Sequence, residues 1–178
     1  MILASDQVNV FKGENMNGLV DVGFMVLLIG VGATAVMDLW LLVLKTLNVP
    51  TLNFALLGRW VGHVFHGNWF HAGIAKSNPI KQELWIGWLA HYAIGICFAA
   101  LLVTIGGAAW ITEPTFMLAL ATGVATVIAP LFIMQPAMGS GIASSLTATP
   151  LRNCFKSIIN HAVFGCGLYL TATLIGSH

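Results

Sequence analysis

Asp38, His91 and His161 are the residues of this sequence whose types and placing could do chemistry. Each lies inside an apolar stretch, where a charged side chain costs about 2.5 to 3.5 kcal/mol on insertion scales unless it finds a partner. Each also falls on a stripe of small or polar residues at i, i+4 spacing: Gly30, Thr34 and Asp38; Gly87, His91, Gly95 and Ala99; Ser157, His161 and Gly165. That spacing stacks the residues on one face of a helix. Two imidazoles and a carboxylate form the ligand set of non-haem iron sites and suit zinc as well, so zinc or iron is the cofactor such a set would take. His63, His66, His71 and Gln135 could complete the shell, although no HExxH pair is present to single out a metal. The same groups could instead act as general acid and base, line a proton or solute pathway, or form a hydrogen-bond network that fixes helix register.

Bringing them together requires helices that cross a bilayer. The chain has 178 residues, 58% hydrophobic and 7% charged, with a mean hydropathy of +0.89, against roughly 25% charged residues in a soluble domain. A bilayer core of ~30 Å takes about 20 apolar residues per helix. Four stretches qualify, at about 22–46, 83–106, 114–136 and 152–175, which predicts an all-α, four-helix transmembrane bundle in a single domain over 1–178. Asn48-Val49-Pro50 ends the first span, because a residue before proline disfavours helix. Pro130 is expected to kink the third, and Thr149-Pro150 supplies an N-cap and first helical position for the fourth. Asp38 lies eight residues before the end of its span, and His91 and His161 lie eight and about nine after the starts of theirs. At 1.5 Å per residue all three sit ~12 to 14 Å from the same surface. In an up-down bundle the first span neighbours the second and fourth, so Asp38 is expected to face both histidines.

Charge gives the orientation. If the spans alternate, Lys45, Arg59, Lys76, Lys81, Arg152 and Lys156 share one side, while Lys12 stands opposite with Asp6, Glu14, Asp21 and Glu113. The positive-inside rule makes the basic side cytoplasmic, with both termini outside. The expected partner is the lipid bilayer, with room for a homo-oligomer or a larger membrane complex and no role for nucleic acid. Residues 1–17 carry charges and no apolar core, so they do not read as a cleavable signal peptide, and Met16 is an alternative start.

The connection 51–82 is too long to be unstructured in a compact bundle. Its apolar residues around Arg59 and His63 predict a short interfacial helix between the first two spans. Trp60, Trp69, Trp85 and Trp88 are expected to form an aromatic belt there. Arg59, Gln135 and Arg152 are the candidate cofactor-binding side chains at that end: the arginines suit a lipid phosphate or simple anchoring, and Gln135 a metal shell. Residues 138–145 are rich in glycine and serine but hold no GxxxxGK[ST] phosphate loop. Cys97, Cys154 and Cys166 show no ligand spacing and read as small packing residues. Two echoes suggest a duplicated hairpin: His91-x-x-x-Gly95 with His161-x-x-x-Gly165, and Ala33-Thr34 with Ala125-Thr126.

Three motifs carry a resemblance. Leu57-Gly58-Arg59-Trp60-Val61-Gly62-His63, Gly87-Trp88-Leu89-Ala90-His91-Tyr92-Ala93-Ile94-Gly95 and Gln135-Pro136-Ala137-Met138-Gly139-Ser140-Gly141 resemble a family of small bacterial inner-membrane proteins grouped as a domain of unknown function, from about Gly30 to Leu170. The resemblance implies four spans and a bacterial inner membrane, and supplies no activity.

Overall fold

A computed structural model describes the backbone of residues 3–176 and the side chains of residues 18–176. Asp6, Lys12 and Glu14, expected on the outer side, and Met16 lie outside the described side chains. The helices run α1 Leu3–Thr46, α2 Phe54–Phe65, α3 Glu83–Gly106, α4 Ala109–Thr112, α5 Phe116–Ala125, α6 Gln135–Ala137 and α7 Pro150–Gly176, with a π-helical turn at Ala129–Met134 between α5 and α6. Four segments are long and apolar enough to cross a membrane: Gly18–Thr46, Glu83–Gly106, Phe116–Ala137 and Pro150–Gly176. The chain is an all-α, multi-pass membrane protein.

Local chemistry explains most of the boundaries. The second span starts and stops where its composition places it, at Glu83 and at Gly106, where Gly107 takes φ +77. The fourth begins at Pro150, whose missing N–H costs nothing at a first helical position. The third span breaks as its proline requires. Pro130 cannot donate to the carbonyl of Thr126, so α5 stops at Ala125 and the chain widens until the Gln135 N–H reaches the Pro130 carbonyl, five residues back. The short α4 was not expected from the sequence. It folds the connection between the second and third spans over the bundle, burying Trp110 and Ile111.

Without a hydrophobic force between helices in lipid, close packing through small residues holds such bundles together. α1 packs on α3 by one side and α7 by another, and α7 packs in turn on α5; α3 and α5 touch only slightly. A Cβ on Gly123 would stand 2.5 Å from the Gly165 Cα, and one on Gly167 would stand 2.9 Å from the Ala33 Cα. At the α4 end Ile29, Ala33, Ala99, Leu102, Phe164 and Leu168 make a closed core with Trp110 and Ile111. The α2 end is built differently.

α2 forms as expected, N-capped by the Asn53 side chain, which accepts from the Ala55 N–H at 3.0 Å. It lies backbone to backbone on α3, because Gly58 and Gly87 face each other with no Cβ between them. Arg59 clamps the junction. Its Nε and Nη2 donate to the two Glu83 carboxylate oxygens at 2.8 and 2.9 Å, and Nη1 donates to the carbonyls of Ala75 and Ser77 at 3.2 and 3.1 Å. Hydrogen bonding to Glu83, reinforced by its charge, holds the guanidinium above its ordinary pKa. The loop after α2 is then tied to the end of the third span: His71 N–H donates to Ala137 O at 2.8 Å and Ile74 N–H to Met138 O at 2.9 Å. Gly139, at φ +92, lets His71 and Ala72 approach its backbone.

Lysine lacks the planar fork that serves four acceptors at once. Arg59→Lys is therefore expected to speed protease cleavage within residues 66–82 while the spans stay resistant. Cleavage at the wild-type rate would show that the clamp is dispensable.

Candidate functional site

α1 and α3 bring Asp38 and His91 together. His91 Nε2 lies 2.9 Å from Asp38 Oδ1, and the Tyr92 hydroxyl donates to Oδ2 at 2.8 Å. Both members of the pair are mostly shielded, the His91 side chain at 12% exposure and that of Asp38 at 17%. Phe54 of α2 covers the imidazole with ring centroids 4.8 Å apart, and Trp88 stacks on Phe54 at 4.1 Å. Trp88 is thus part of the site, whereas Trp69 and Trp85 stay exposed as belt residues would.

His161 does not join them, which corrects the expectation that Asp38 would face both histidines. Its Nδ1 lies 2.8 Å from the hydroxyl of Thr126 on the third span. The reason is helical phase. At this level α7 reaches α1 through Asn160, whose side-chain carbonyl accepts from Trp40 Nε1 at 2.9 Å. One residue further on is about 100° round the helix, and that turn delivers His161 to the third span.

The two histidines still share a space. A cavity of ≈ 320 Å³ lies between the spans at the α2 end, lined by His91 and His161 together with Thr34, Phe98, Pro130 and Phe164 among others. It reaches the surface between α3 and the third span, where its lining residues Ile94, Cys97 and Ile133 are exposed. Trp60 and Leu57 of α2 close its end. A second cleft of ≈ 640 Å³ opens beside Asp38 and is more polar, with Lys45, Asn48, Thr51, Asn53 and Trp88 in its wall. Asp38 lines the cleft and His91 lines the cavity, so the hydrogen-bonded pair bridges the partition between them, beside Leu52, which lines both.

Partners fix the imidazole tautomers. The Asp38 carboxylate accepts from Nε2–H of His91, which leaves Nδ1 as the lone-pair nitrogen. The Thr126 hydroxyl gives its one proton to Gly123 O at 2.6 Å and so accepts from Nδ1–H of His161, leaving Nε2 as the lone-pair nitrogen. Neither of these two nitrogens has a protein partner among the described residues.

The remaining candidates are occupied elsewhere. His63 Nε2 meets Asn78 O at 3.0 Å, His66 Nδ1 turns back to Gly62 O at 2.8 Å, and His71 Nδ1 meets the Ser77 hydroxyl at 2.9 Å. His63 and His71 touch ring to ring at 5.0 Å. Gln135 accepts from the Ser144 hydroxyl at 2.9 Å, Arg59 is held in its clamp, and Arg152 is exposed at the start of α7. Among the described residues no group of three or more His, Cys, Asp or Glu is placed to hold a metal ion. The cysteines are free: Cys154 Sγ donates to Ala143 O, and Cys97 is exposed at the cavity mouth rather than packed inside.

Sequence reasoning missed Tyr92 and Thr126. Tyr92 adjoins His91 and so falls off its stripe, but a phenol is long enough to reach back to the carboxylate. Thr126 stood in plain view as a hydroxyl beside Pro130 at the depth of His161.

Residues 27–175 match the family described as Protein of unknown function (DUF2938). No curated protein and no solved structure matches the chain.

Proposed function

The chain belongs to the DUF2938 family, whose function is unknown, and we propose that it is an acid–base protein working inside the bilayer on a molecule held in the inner cavity. One observation carries this: the Asp38–His91 pair bridges the partition between that cavity and a polar cleft at the α2 end. A proton taken up at His91 Nδ1 from a bound ligand is matched by release of the Nε2 proton to Asp38, and from Asp38 to water in the cleft. The ligand ends as its conjugate base, and the reverse path protonates it. Tyr92 holds the second carboxylate oxygen and so keeps Asp38 aimed at His91. Acid–base work is favoured over metal binding because the three donors of the imagined ligand set are split between two partners, Asp38 with His91 and His161 with Thr126. It is favoured over transport because the α4 half of the bundle is closely packed, which suits a site reached from one side.

The basic side chains Lys45, Arg59, Lys76, Lys81, Arg152 and Lys156 flank the α2 end of the spans. The positive-inside rule then favours a cytoplasmic cleft and termini on the outer face of a bacterial inner membrane.

Infrared difference spectra between acid and neutral pH test the proposal. A carboxyl band is expected that vanishes in Asp38→Asn, shifts in His91→Gln and exchanges promptly with D₂O. A carboxyl spectrum unchanged by Asp38→Asn, or a band from Asp38 closed to D₂O, would overturn it.

A further inference from the structure

The chemistry of the cavity wall specifies what it takes. Its lining is apolar apart from Thr34, Cys97, the two histidines and the indole of Trp60, whose Nε1–H is already used, donating to Trp69 O at 3.0 Å. The Thr34 hydroxyl is already used, donating to Gly30 O at 2.7 Å. As assigned above, His91 offers Nδ1 and His161 offers Nε2, both as acceptors. The site therefore presents two basic acceptors and no strong donor, which is the complement of a ligand that brings its own O–H groups. A carbonyl or ether head would leave both nitrogens unmatched.

Shape and access narrow the choice. Phe98 packs against His161 and Phe164 with ring centroids 6.3 and 6.1 Å apart, and Trp60 also lines the cavity. Aromatic walls favour a flat ring offered edge or face. The volume of ≈ 320 Å³ is near the lower end for a small-molecule site, enough for one ring and the start of a chain. The opening between α3 and the third span, where Ile94 and Ile133 are exposed, faces outward from the bundle side. In a bilayer that side is lipid, so the ligand arrives from the membrane and its tail stays there.

We propose that the cavity binds a lipid-borne phenol or quinol, its ring against the aromatic wall that Phe98 and Phe164 form, its hydroxyl on the free nitrogen of His91 or His161, and its apolar tail passing out beside Ile133. This rests on the acid–base reading of His91 and names the substrate class for it. Dihydroxylated rings suit the site best, since the second hydroxyl serves the second imidazole.

The test uses the full chain in lipid nanodiscs with a long-chain alkylphenol, its O-methyl ether and a saturated fatty acid of equal chain length as probes. The alkylphenol is expected to bind saturably and to move the ¹⁵N resonances of His91 or His161. The methyl ether, which keeps the shape and loses the donor, should bind at least tenfold more weakly. Ile133→Trp, which fills the opening without touching either histidine, should weaken the phenol by a similar factor; binding unaffected by it places the phenol elsewhere and overturns the proposal. Equal binding of phenol and ether, binding of the fatty acid in preference to the phenol, or saturable binding of none would each overturn it too. The proton-exchange reading fails separately. If alkylphenol binds as expected but the Asp38 carboxyl never titrates, the ligand class stands and the relay falls; an intact titration with no phenol binding leaves the relay and removes the ligand class.

Discussion

His91→Ala is expected to lower stability by about 2 to 3 kcal/mol, and adding Asp38→Ala to the same chain is expected to return most of that loss. Removing the hydrogen-bond donor of a shielded carboxylate strands the charge, and breaking such a buried charged pair costs roughly 3 to 5 kcal/mol when burial is complete. The pair here retains some exposure and Tyr92 still holds one oxygen, so the lower part of the range applies. Protonation of the orphaned carboxyl limits the cost further, because an unpartnered charge at this depth would be worth about 2.5 to 3.5 kcal/mol. Removing both groups removes the stranded charge as well. Denaturation in mixed micelles measures all three chains, and a double variant no more stable than His91→Ala would show that the penalty comes from lost packing against Phe54.

Gly87→Ala is expected to undock α2 without unfolding the bundle. A Cβ at Gly87 would run into the carbonyl oxygen of Phe54, and one at Gly58 into that of Glu83. Both obstacles are backbone, so no side chain can swing aside, and the cost belongs at the upper end of the ordinary overpacking range, about 3 kcal/mol. The α1–α7 contacts lie elsewhere and should keep their protection. Hydrogen exchange should show residues 54–65 losing protection while 18–46 and 150–176 hold theirs. Gly58→Ala should do the same, and the two together should cost less than their sum, since either one already opens the contact. Binding of the alkylphenol should fall in these variants, because Leu57 and Trp60 leave the cavity wall. Full protection of α2 in Gly87→Ala would contradict the backbone contact.

The spans and the helix α2 were legible in the sequence because apolar length, proline and end caps are local signals. So was the inward turn of Asp38 and His91, since stripes of small residues mark the faces that helices share. His161 shows where such reasoning stops. Its stripe does face a neighbouring helix, but choosing between α1 and the third span depends on about 100° of helix rotation, which Asn160 settles by reaching Trp40. Aligning the two halves on the echo of Ala33-Thr34 with Ala125-Thr126 sets the surroundings of the two histidines side by side. Thr34 donates to Gly30 O as Thr126 donates to Gly123 O, and Gly95 packs on Thr34 as Gly165 packs on Gly123. Four residues beyond Thr34 stands Asp38, while four beyond Thr126 stands Pro130. A proline offers no carboxylate, and His161 takes the threonine instead. The cavity was hidden because it arises from poor contact between α3 and α5, and absence of packing leaves no mark on either sequence alone.

Exchange at the two imidazoles decides the matter most directly. With ¹⁵N-labelled histidine in nanodiscs and a jump into D₂O, the Nε2 proton of His91 should exchange quickly through Asp38 and the cleft, and slow sharply in Asp38→Asn. The Nδ1 proton of His161, shut in with Thr126 and served by no carboxylate, should exchange far more slowly in both chains. Equal rates at the two rings, or a His91 rate indifferent to Asp38, would mean that the pair is a structural tie and carries no protons.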